Sequence, residues 1–297
     1  MPVNITEKIS NLSVAVVIVL YQPHKEDIAN VIRLSNVFVG VIIDNSQEKT
    51  FEDEQLGKMQ YIPLKENVGI AEAQNIGIRY IFNHTDATHI VFLDQDSTVP
   101  TTYADDIAKS FNRIKLYVPN LAFLGPKTEN KITGKEYKSI IHHEKSLTPE
   151  FILKREVISS GGCTTKEVLK TVGLNDSKLF IDYVDFDWCW RAKSKGLVCG
   201  ITPNITIKHM VGQKTIYIGG YTIIVSSPNR YYYQFRNYLW LLRKKYVPLQ
   251  WKFNKGIKHI AQFIYFPIFI KSGFSCWKYM IKGFFAGITL KNEKGNK

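Results

Sequence analysis

The sequence predicts an α/β chain. Residues 1–227 are expected to form a mostly parallel central sheet with helices on both faces, and residues 228–297 a basic, aromatic helical segment. Three observations predict this. First, short β-branched apolar runs alternate with helix-like stretches, the βαβα order of a sheet covered on both faces. Second, two of those runs end in acids, Asp44 and Asp94, at the strand ends where such sheets bind ligands. Third, the composition breaks near Ser227-Pro228. Of 39 Lys and Arg and 26 Asp and Glu, residues 228–297 hold 14 and one (Glu293), leaving 25 of each before the break. The same stretch carries 18 of the 38 aromatic residues.

Val14–Tyr21 opens the pattern. It is rich in β-branched residues and far shorter than the roughly 20 apolar residues a spanning helix needs, so it is read as a buried strand. Glu7 precedes it and no small-residue cleavage site follows, which argues against a secretory leader. Lys25–Leu34 is expected to be a helix, Phe38–Asp44 a buried strand, Gln60–Pro63 a weaker strand, Ile70–Phe82 a helix and His89–Asp94 a buried strand. Past Thr101 the order is mixed, with a helix at Tyr103–Ile114, strands at Leu121–Gly125 and Val157–Ser160, and a short helix at Lys166–Val172. Lys127–Thr148 is polar and irregular and is expected to be a mobile loop. Phe180–Gly196 opens another helix. Asn229–Tyr246, Leu249–Lys271 and Cys276–Leu290 are expected to be helices. The most apolar piece, Ile260–Ile270, is 11 residues long and contains Pro267, which suits an amphipathic helix in a membrane interface better than a span. The alternative is a soluble helical cap with solvated lysines. Cys163, Cys189, Cys199 and Cys276 show no CxxC spacing and fit free thiols in a reducing compartment, so the chain is placed in the cytoplasm.

Several clusters carry chemistry. Asp94-Gln95-Asp96 follows the apolar strand, and two carboxylates at i and i+2 at a sheet mouth can hold a hard divalent cation such as Mg²⁺ or Mn²⁺. The same pattern also occurs in ordinary turns. Asp44, followed by Asn45 and Ser46, is placed to accept from a base N–H or a ribose hydroxyl, or to serve as a turn residue. Asn67, Gly69, Ala71, Ala73, Asn75 and Gly77 put small residues at the opening of a helix, where a phosphate or a closely packed backbone both fit. Asp182, Asp185 and Asp187 lie within six residues. Crowded like charges raise a carboxylate's pKa, as a general base requires, although acids also favour a helix N-terminus. The aromatic residues between them, Phe180, Tyr183, Phe186, Trp188 and Trp190, are not explained by a solvated terminus. His209 follows a strand and is a structural residue or a ligand to an oxygen-bound metal.

Taken in order, VVIVLY, VIIDNS, NVGIAEAQNIGI, VFLDQDS, ISSGG, FIDYVDFDWCWR and IKHMVG resemble the family 2 glycosyltransferases of the GT-A fold over about residues 13–245. DQDS, FIDYVDFDWCWR and the Arg230–Asn237 run RYYYQFRN are similar to bacterial rhamnosyltransferases in particular. The resemblance implies a nucleotide-sugar donor contacted by Tyr21, Asp44, Asn67, Gly69, Asn75, Asp94 and Gln95. It implies a metal held by Asp96 with Asp94 nearby and, as in some relatives, by His209. Gly161 and Gly162 would lie where donor sugar and acceptor meet, and Arg230 and Arg236 near phosphates. Asp185 matches the catalytic base. Val184 stands where many relatives have Glu, so Asp182 is the alternative acid and a catalytically inactive scaffold the alternative fate.

The implied reaction is inverting transfer of a sugar, L-rhamnose from dTDP-L-rhamnose, to a lipid-linked (polyprenyl diphosphate) saccharide acceptor in surface polysaccharide synthesis, at the inner face of the cell membrane. A UDP-sugar such as UDP-galactofuranose or a UDP-hexose is the alternative donor. Basic aromatic segments also bind single-stranded nucleic acid, but no nucleic-acid motif is present and no nucleic acid is expected as a partner. Tyr21-Gln-Pro-His-Lys is not the Gly-rich basic loop of a nucleotidyltransferase. The sequence leaves an oligomer open.

Overall fold

A computed structural model describes residues 12–130, 145–209, 214–218 and 221–290. The sheet elements in chain order are β1 (Val14–Leu20), β2 (Gly40–Asp44), β3 (Gln55–Leu56), β4 (Met59–Pro63), β5 (His89–Asp94), β6 (Leu121–Asn130), β7 (Lys145–Thr148), β8 (Phe151–Lys154), β9 (Cys163–Thr165) and β10 (Val198–His209). They form one sheet in the order β3-β4-β2-β1-β5-β9-β6-β10-β8-β7. The run β4-β2-β1-β5 is wholly parallel, as the alternation of strand and helix predicts. Beyond β5 the short reversed strand β9 pairs antiparallel with both β5 and β6, so that half of the sheet is mixed.

Strand β1 shows why its sequence is apolar throughout. Val16, Ile18 and Leu20 pack into one core, and Ala15, Val17 and Val19 into the other. Successive side chains point to opposite faces, and both faces are covered by helices. Helices α1 (Lys25–Val37) and α3 (Tyr103–Lys115) supply Val31, Leu34, Ile107 and Phe111 to the first core. Helices α2 (Gly69–His84) and α4 (Lys166–Val172) supply Ala73, Ile81, Leu169 and Val172 to the second. Gly77 permits that packing, because a Cβ there would lie 2.6 Å from Val17 Cγ1.

The expected strand at Val157–Ser160 is not formed. Gly161 has φ +74° and turns the chain, so that pairing with β5 begins at the glycines and β9 starts at Cys163. The polar stretch expected as a loop gives its ends to β6 and β7; residues 131–144 lie outside the described residues.

By packing, the chain divides into two compact units. One is Met1–Lys178 with Trp188–Met210; the other is Leu179–Asp187 with Val211–Lys297. The division falls within helix α5 (Val184–Ser194). The acidic turn before α5 therefore packs with the C-terminal helices, and the change in charge at Pro228 lies inside the second unit. That unit holds the hairpin β11 (Lys214–Ile218) and β12 (Tyr221–Val225), and helices α6 (Pro228–Leu242), α7 (Leu249–Phe269) and α8 (Gly273–Thr289). Its core is Val225, Tyr231, Phe235, Phe266, Ile270, Cys276 and Met280. All four cysteines are buried and unbridged. Among the described residues, no helix is long and apolar enough to cross a membrane.

Candidate active site

In the first unit, parallel pairing brings the carboxyl ends of β1, β2 and β5 to one edge, with Val19 in register with Asp94 and Leu20 with Asp44. Asp44 is fully buried. Its Oδ1 accepts from the Ser46 N–H (3.1 Å), and its Oδ2 from the Thr50 N–H (2.9 Å) and the Tyr61 hydroxyl (2.6 Å). Burial pushes its pKa up, but these hydrogen bonds from Tyr61, Ser46 and Thr50 outweigh it and hold the carboxyl below its ordinary value. The same burial and the Asp44 contact push the Tyr61 hydroxyl up to about 12. Asp44 thus shapes the 45–51 loop, and Tyr61, which carried no motif signal, is its main partner.

Asn45 joins that loop to α2: its Oδ1 accepts from the Val68 N–H and its Nδ2 donates to Asn67 Oδ1, which also accepts from the Gly69 N–H. Gly69 has φ +82°. Asn67 and Gly69 therefore build the start of α2, while Asn75 anchors the 175–177 segment through Asn175 and Ser177 (3.0 Å each from its Nδ2). The small residues at Ala71, Ala73 and Gly77 are buried in helix–sheet packing.

The Asp94–Ser97 turn closes on itself, the Asp94 N–H donating to Ser97 Oγ and the Ser97 N–H to the Asp94 carbonyl. Gln95 is its brace. Its side chain accepts from the Tyr21 N–H (2.8 Å) and donates to Asp27 Oδ2 (3.1 Å), and its carbonyl accepts from Asn30. The Tyr21 side chain is 46% exposed at this edge. Asp94 and Asp96 are both partly exposed, and Asp96 has no hydrogen bond or ion pair among the described residues. No cluster of three or more metal-ligating side chains forms among the described residues. His209 ends β10 opposite Asn130, and its side chain lies outside the described residues. Gly161 and Gly162 bond to Phe92 of β5, and a Cβ at Gly162 would lie 2.1 Å from the Phe123 ring, so packing explains both glycines.

The second unit contains the acidic turn. Phe180, Asp182 and Tyr183 have φ of +62°, +65° and +65°, each costing a non-glycine residue about 1–2 kcal/mol. Asp182 is held in a two-point ion pair with Arg230 (2.6 and 3.3 Å). Asp187 is fully buried and accepts from the Tyr246 hydroxyl (2.7 Å). Asp185, in the first turn of α5, stays partly exposed. Arg236 is turned onto Asn237 Oδ1 and the Leu179 carbonyl and lies over Tyr232 and Tyr233. Sequence reasoning gave Asn237 no role of its own, although it closes the Arg230–Asn237 run; in the structure it is buried and bonds to the carbonyls of the turn.

No family model matches the chain. Among solved structures, it is similar to the 1–349 portion of S. aureus TarS (TM-score 0.53, 13% identity, 94% of this chain and 81% of that one). The same portion in complex with UDP-GlcNAc gives a TM-score of 0.54 at 12% identity, over 93% and 82%. GalNAc-T7 with UDP, GalNAc and Mn²⁺ gives 0.52 at 13% identity, over 83% and 54%. At such identities the likeness is one of fold, and the fold is that of the GT-A glycosyltransferases. The curated relative is nearer: the dTDP-rhamnosyl transferase RfbF of Shigella flexneri is 36% identical over 252 residues, 80% of this chain and 83% of that protein. The chain belongs to this rhamnosyltransferase family and is a glycosyltransferase.

Proposed function

We propose that the protein transfers L-rhamnose from dTDP-L-rhamnose, with inversion, to a lipid-linked saccharide in bacterial surface polysaccharide synthesis. The observation that carries this reading is the identity with a dTDP-rhamnosyl transferase across four fifths of both chains. The acid-bearing edge of the parallel strands supports it. Tyr21 offers an exposed ring at that edge, and Gln95 keeps the Asp94–Ser97 turn against β1.

The residues at this turn fit a divalent cation. Mg²⁺ sites often use one or two carboxylates, completed by substrate phosphates and water, and among the described residues Asp96, beside Asp94, makes no hydrogen bond or ion pair. Bound there, Mg²⁺ or Mn²⁺ would neutralise charge on the leaving diphosphate. Of the two acids weighed as base, the geometry favours Asp185, because the Asp182 carboxylate is neutralised by Arg230. Asp185 takes the proton of an acceptor hydroxyl as that oxygen bonds to the anomeric carbon. The bond from the anomeric carbon to the diphosphate oxygen breaks on the opposite face, and dTDP leaves.

For the second unit, membrane docking is supported by one face of α7. Leu249, Phe253, Ile257, Ile260, Ile264 and Ile268 are all exposed and recur at helical spacing, a stripe about 28 Å long. Exposed Lys258 on α7, Lys278 and Lys282 on α8, and Lys271 between the two helices suit an anionic leaflet, at about 1 kcal/mol each.

Calorimetry with a panel of nucleotide sugars, with Mg²⁺ or Mn²⁺ and then with chelator, tests the donor. Metal-dependent binding of dTDP-rhamnose over UDP-sugars is expected; tight binding of a UDP-sugar would replace rhamnose with that sugar. Flotation with vesicles containing phosphatidylserine tests docking: the full chain should float, and Ile260→Asp/Ile264→Asp should not.

A further inference from the structure

The turn that feeds α5 runs against ordinary backbone preference at three non-glycine residues, Phe180, Asp182 and Tyr183. Such conformations persist only where the surroundings over-determine them. Here one side chain does most of this. Asn237 of α6 is fully buried, and the two hydrogens of its Nδ2 are shared among three carbonyls of the turn: Leu179 (2.8 Å), Ile181 (2.7 Å) and, at the longest distance, Asp182 (3.1 Å). The orientation of that amide is fixed from behind, because Oδ1 accepts from Arg236 Nε (2.9 Å) and Nη2 (2.8 Å). The flipped amide would point its oxygen at three carbonyl oxygens and its N–H groups at a guanidinium. Arg236 adds a bond of its own to the Leu179 carbonyl (3.0 Å). Phe180 is stacked on Tyr233 (centroids 4.6 Å apart, 6° between planes), and Tyr183 is packed edge-on to Trp251 of α7.

The turn is covalently and geometrically the root of α5. The Tyr183 carbonyl accepts from the Asp187 N–H (2.9 Å), so the first helical hydrogen bond starts on the last strained residue. The direction in which α5 leaves the turn, and with it the placement of Asp185, follows from the left-handed angles at Asp182 and Tyr183. With an ordinary negative φ at Tyr183, the helix would start in another direction.

We propose that Asn237, locked by Arg236, is a positioning residue for transfer. It holds the 179–183 turn in its left-handed form and so fixes the orientation of Asp185 toward the reacting hydroxyl. This rests on the reading of Asp185 as the base. The C-terminal helical segment is then part of the catalytic apparatus as well as a surface. The Ile181 N–H also donates to the Leu179 carbonyl (2.7 Å), and the Asn237 amide ties that carbonyl to those of Ile181 and Asp182.

The test uses the full chain and release of dTDP from dTDP-rhamnose with water as acceptor, so that no lipid acceptor is required. Four variants are compared with the parent: Asn237→Asp, Arg236→Lys, Asp185→Asn and the double variant Asn237→Asp/Asp185→Asn. Asn237→Asp keeps the shape and the acceptor for Arg236 but removes the donor to the turn. It should lower kcat about 10–100-fold, since misplacement of a reacting group by about 1 Å can cost about 10²-fold. Donor Kd should stay within about 2-fold. Arg236→Lys, which removes the fork but keeps the charge, should lower kcat about 3–10-fold, and it decides the matter if Asn237→Asp does not fold. The double variant should be no slower than Asp185→Asn alone, because residues acting through one another are not additive. If Asp185→Asn is inactive while Asn237→Asp and Arg236→Lys keep full kcat, the base reading stands and the positioning inference falls. An additive double variant, or a loss in Kd equal to the loss in kcat, also overturns it. If Asp185→Asn turns over normally, the base reading itself falls and this inference with it.

Discussion

Tyr61→Phe removes one oxygen and tests whether Asp44 is held as described. The hydroxyl is buried, donates to Asp44 Oδ2 (2.6 Å), and accepts from the Thr50 N–H (2.9 Å) and the Phe51 N–H (3.3 Å). The Thr50 N–H keeps Asp44 Oδ2 as a partner after the change. Two costs remain. A hydrogen bond to a buried carboxylate is worth about 1.5–3 kcal/mol, and leaving the Phe51 N–H unpaired adds about 1 kcal/mol. The Phe ring fills the same space, so no cavity is created. Together these predict a destabilisation of about 2.5–4 kcal/mol at pH 7. The pH dependence has a definite sign. Asp44 is held below its ordinary pKa, so its contribution is present above about pH 4, the unfolded value, and is lost as pH falls through the folded value. Without the Tyr61 donor the folded pKa rises, and the gap between parent and variant should narrow as pH drops below about 4. Urea unfolding of both proteins between pH 7 and pH 3 measures this. A difference under about 0.5 kcal/mol at pH 7 would refute the account of Asp44 as a carboxylate stabilised chiefly by this hydroxyl.

Asp185→Asn should lower transfer by about 10²–10⁴-fold while leaving donor binding unchanged; near-normal turnover would remove Asp185 as the base. His259 is buried against Phe235 and Tyr238, and burial together with the nearby Lys255 pushes its pKa down to about 3, with Gln262 opposing. Its neutral form stabilises the fold above about pH 6.5, and that contribution is lost between about pH 6.5 and 3, at up to about 1.4 kcal/mol per pH unit. His259→Gln should flatten the acid limb of a stability–pH curve, and coincident curves would discount the residue. Gly283 of α8 sits where a Cβ would lie 2.2 Å from the Tyr232 carbonyl oxygen. Gly283→Ala should therefore lower the melting temperature even though alanine favours a helix by about 1 kcal/mol; a rise would show that α6 and α8 part easily.

The parallel half of the fold was legible because its periodicity is forced. A strand buried on both faces must be apolar at every position, and Val14–Leu20 is. The acids at Asp44, Asp94 and Asp96 were legible for the same reason, since a charge ending such a run needs a use. The roles of those acids were less legible. Asp44 is saturated by Tyr61 and the backbone of its own loop, and Asn75 holds a segment 100 residues away. Both depend on partners that no local spacing reveals. The strand expected at Val157–Ser160 forms instead as β9, starting at Cys163, because Val157–Ser160 has the composition of a strand while the glycines after it decide where pairing starts.

The C-terminal segment has two sides, and the sequence makes one of them far easier to see than the other. Helix α7 buries Trp251, His259, Gln262 and Phe266 on one side and exposes Leu249, Phe253, Ile257, Ile260, Ile264 and Ile268 on another. A helix with its most apolar stripe exposed and His259 and Gln262 on its buried side blurs the contrast that marks an amphipathic element, and the abundance of lysine and aromatic residues draws attention to the exposed face alone. The residues on the other side and on α6 are fewer and more polar: Asn237, Arg230, Arg236 and His259. They read in the sequence as interruptions. In the structure they meet at the strained turn before Asp185, where the buried Asn237 amide bonds to three of its carbonyls. An acidic motif whose backbone angles are unfavourable calls for a stabiliser, and here that stabiliser comes from helices some 50 residues further along the chain, as the 55-residue span between Asp182 and Asn237 shows.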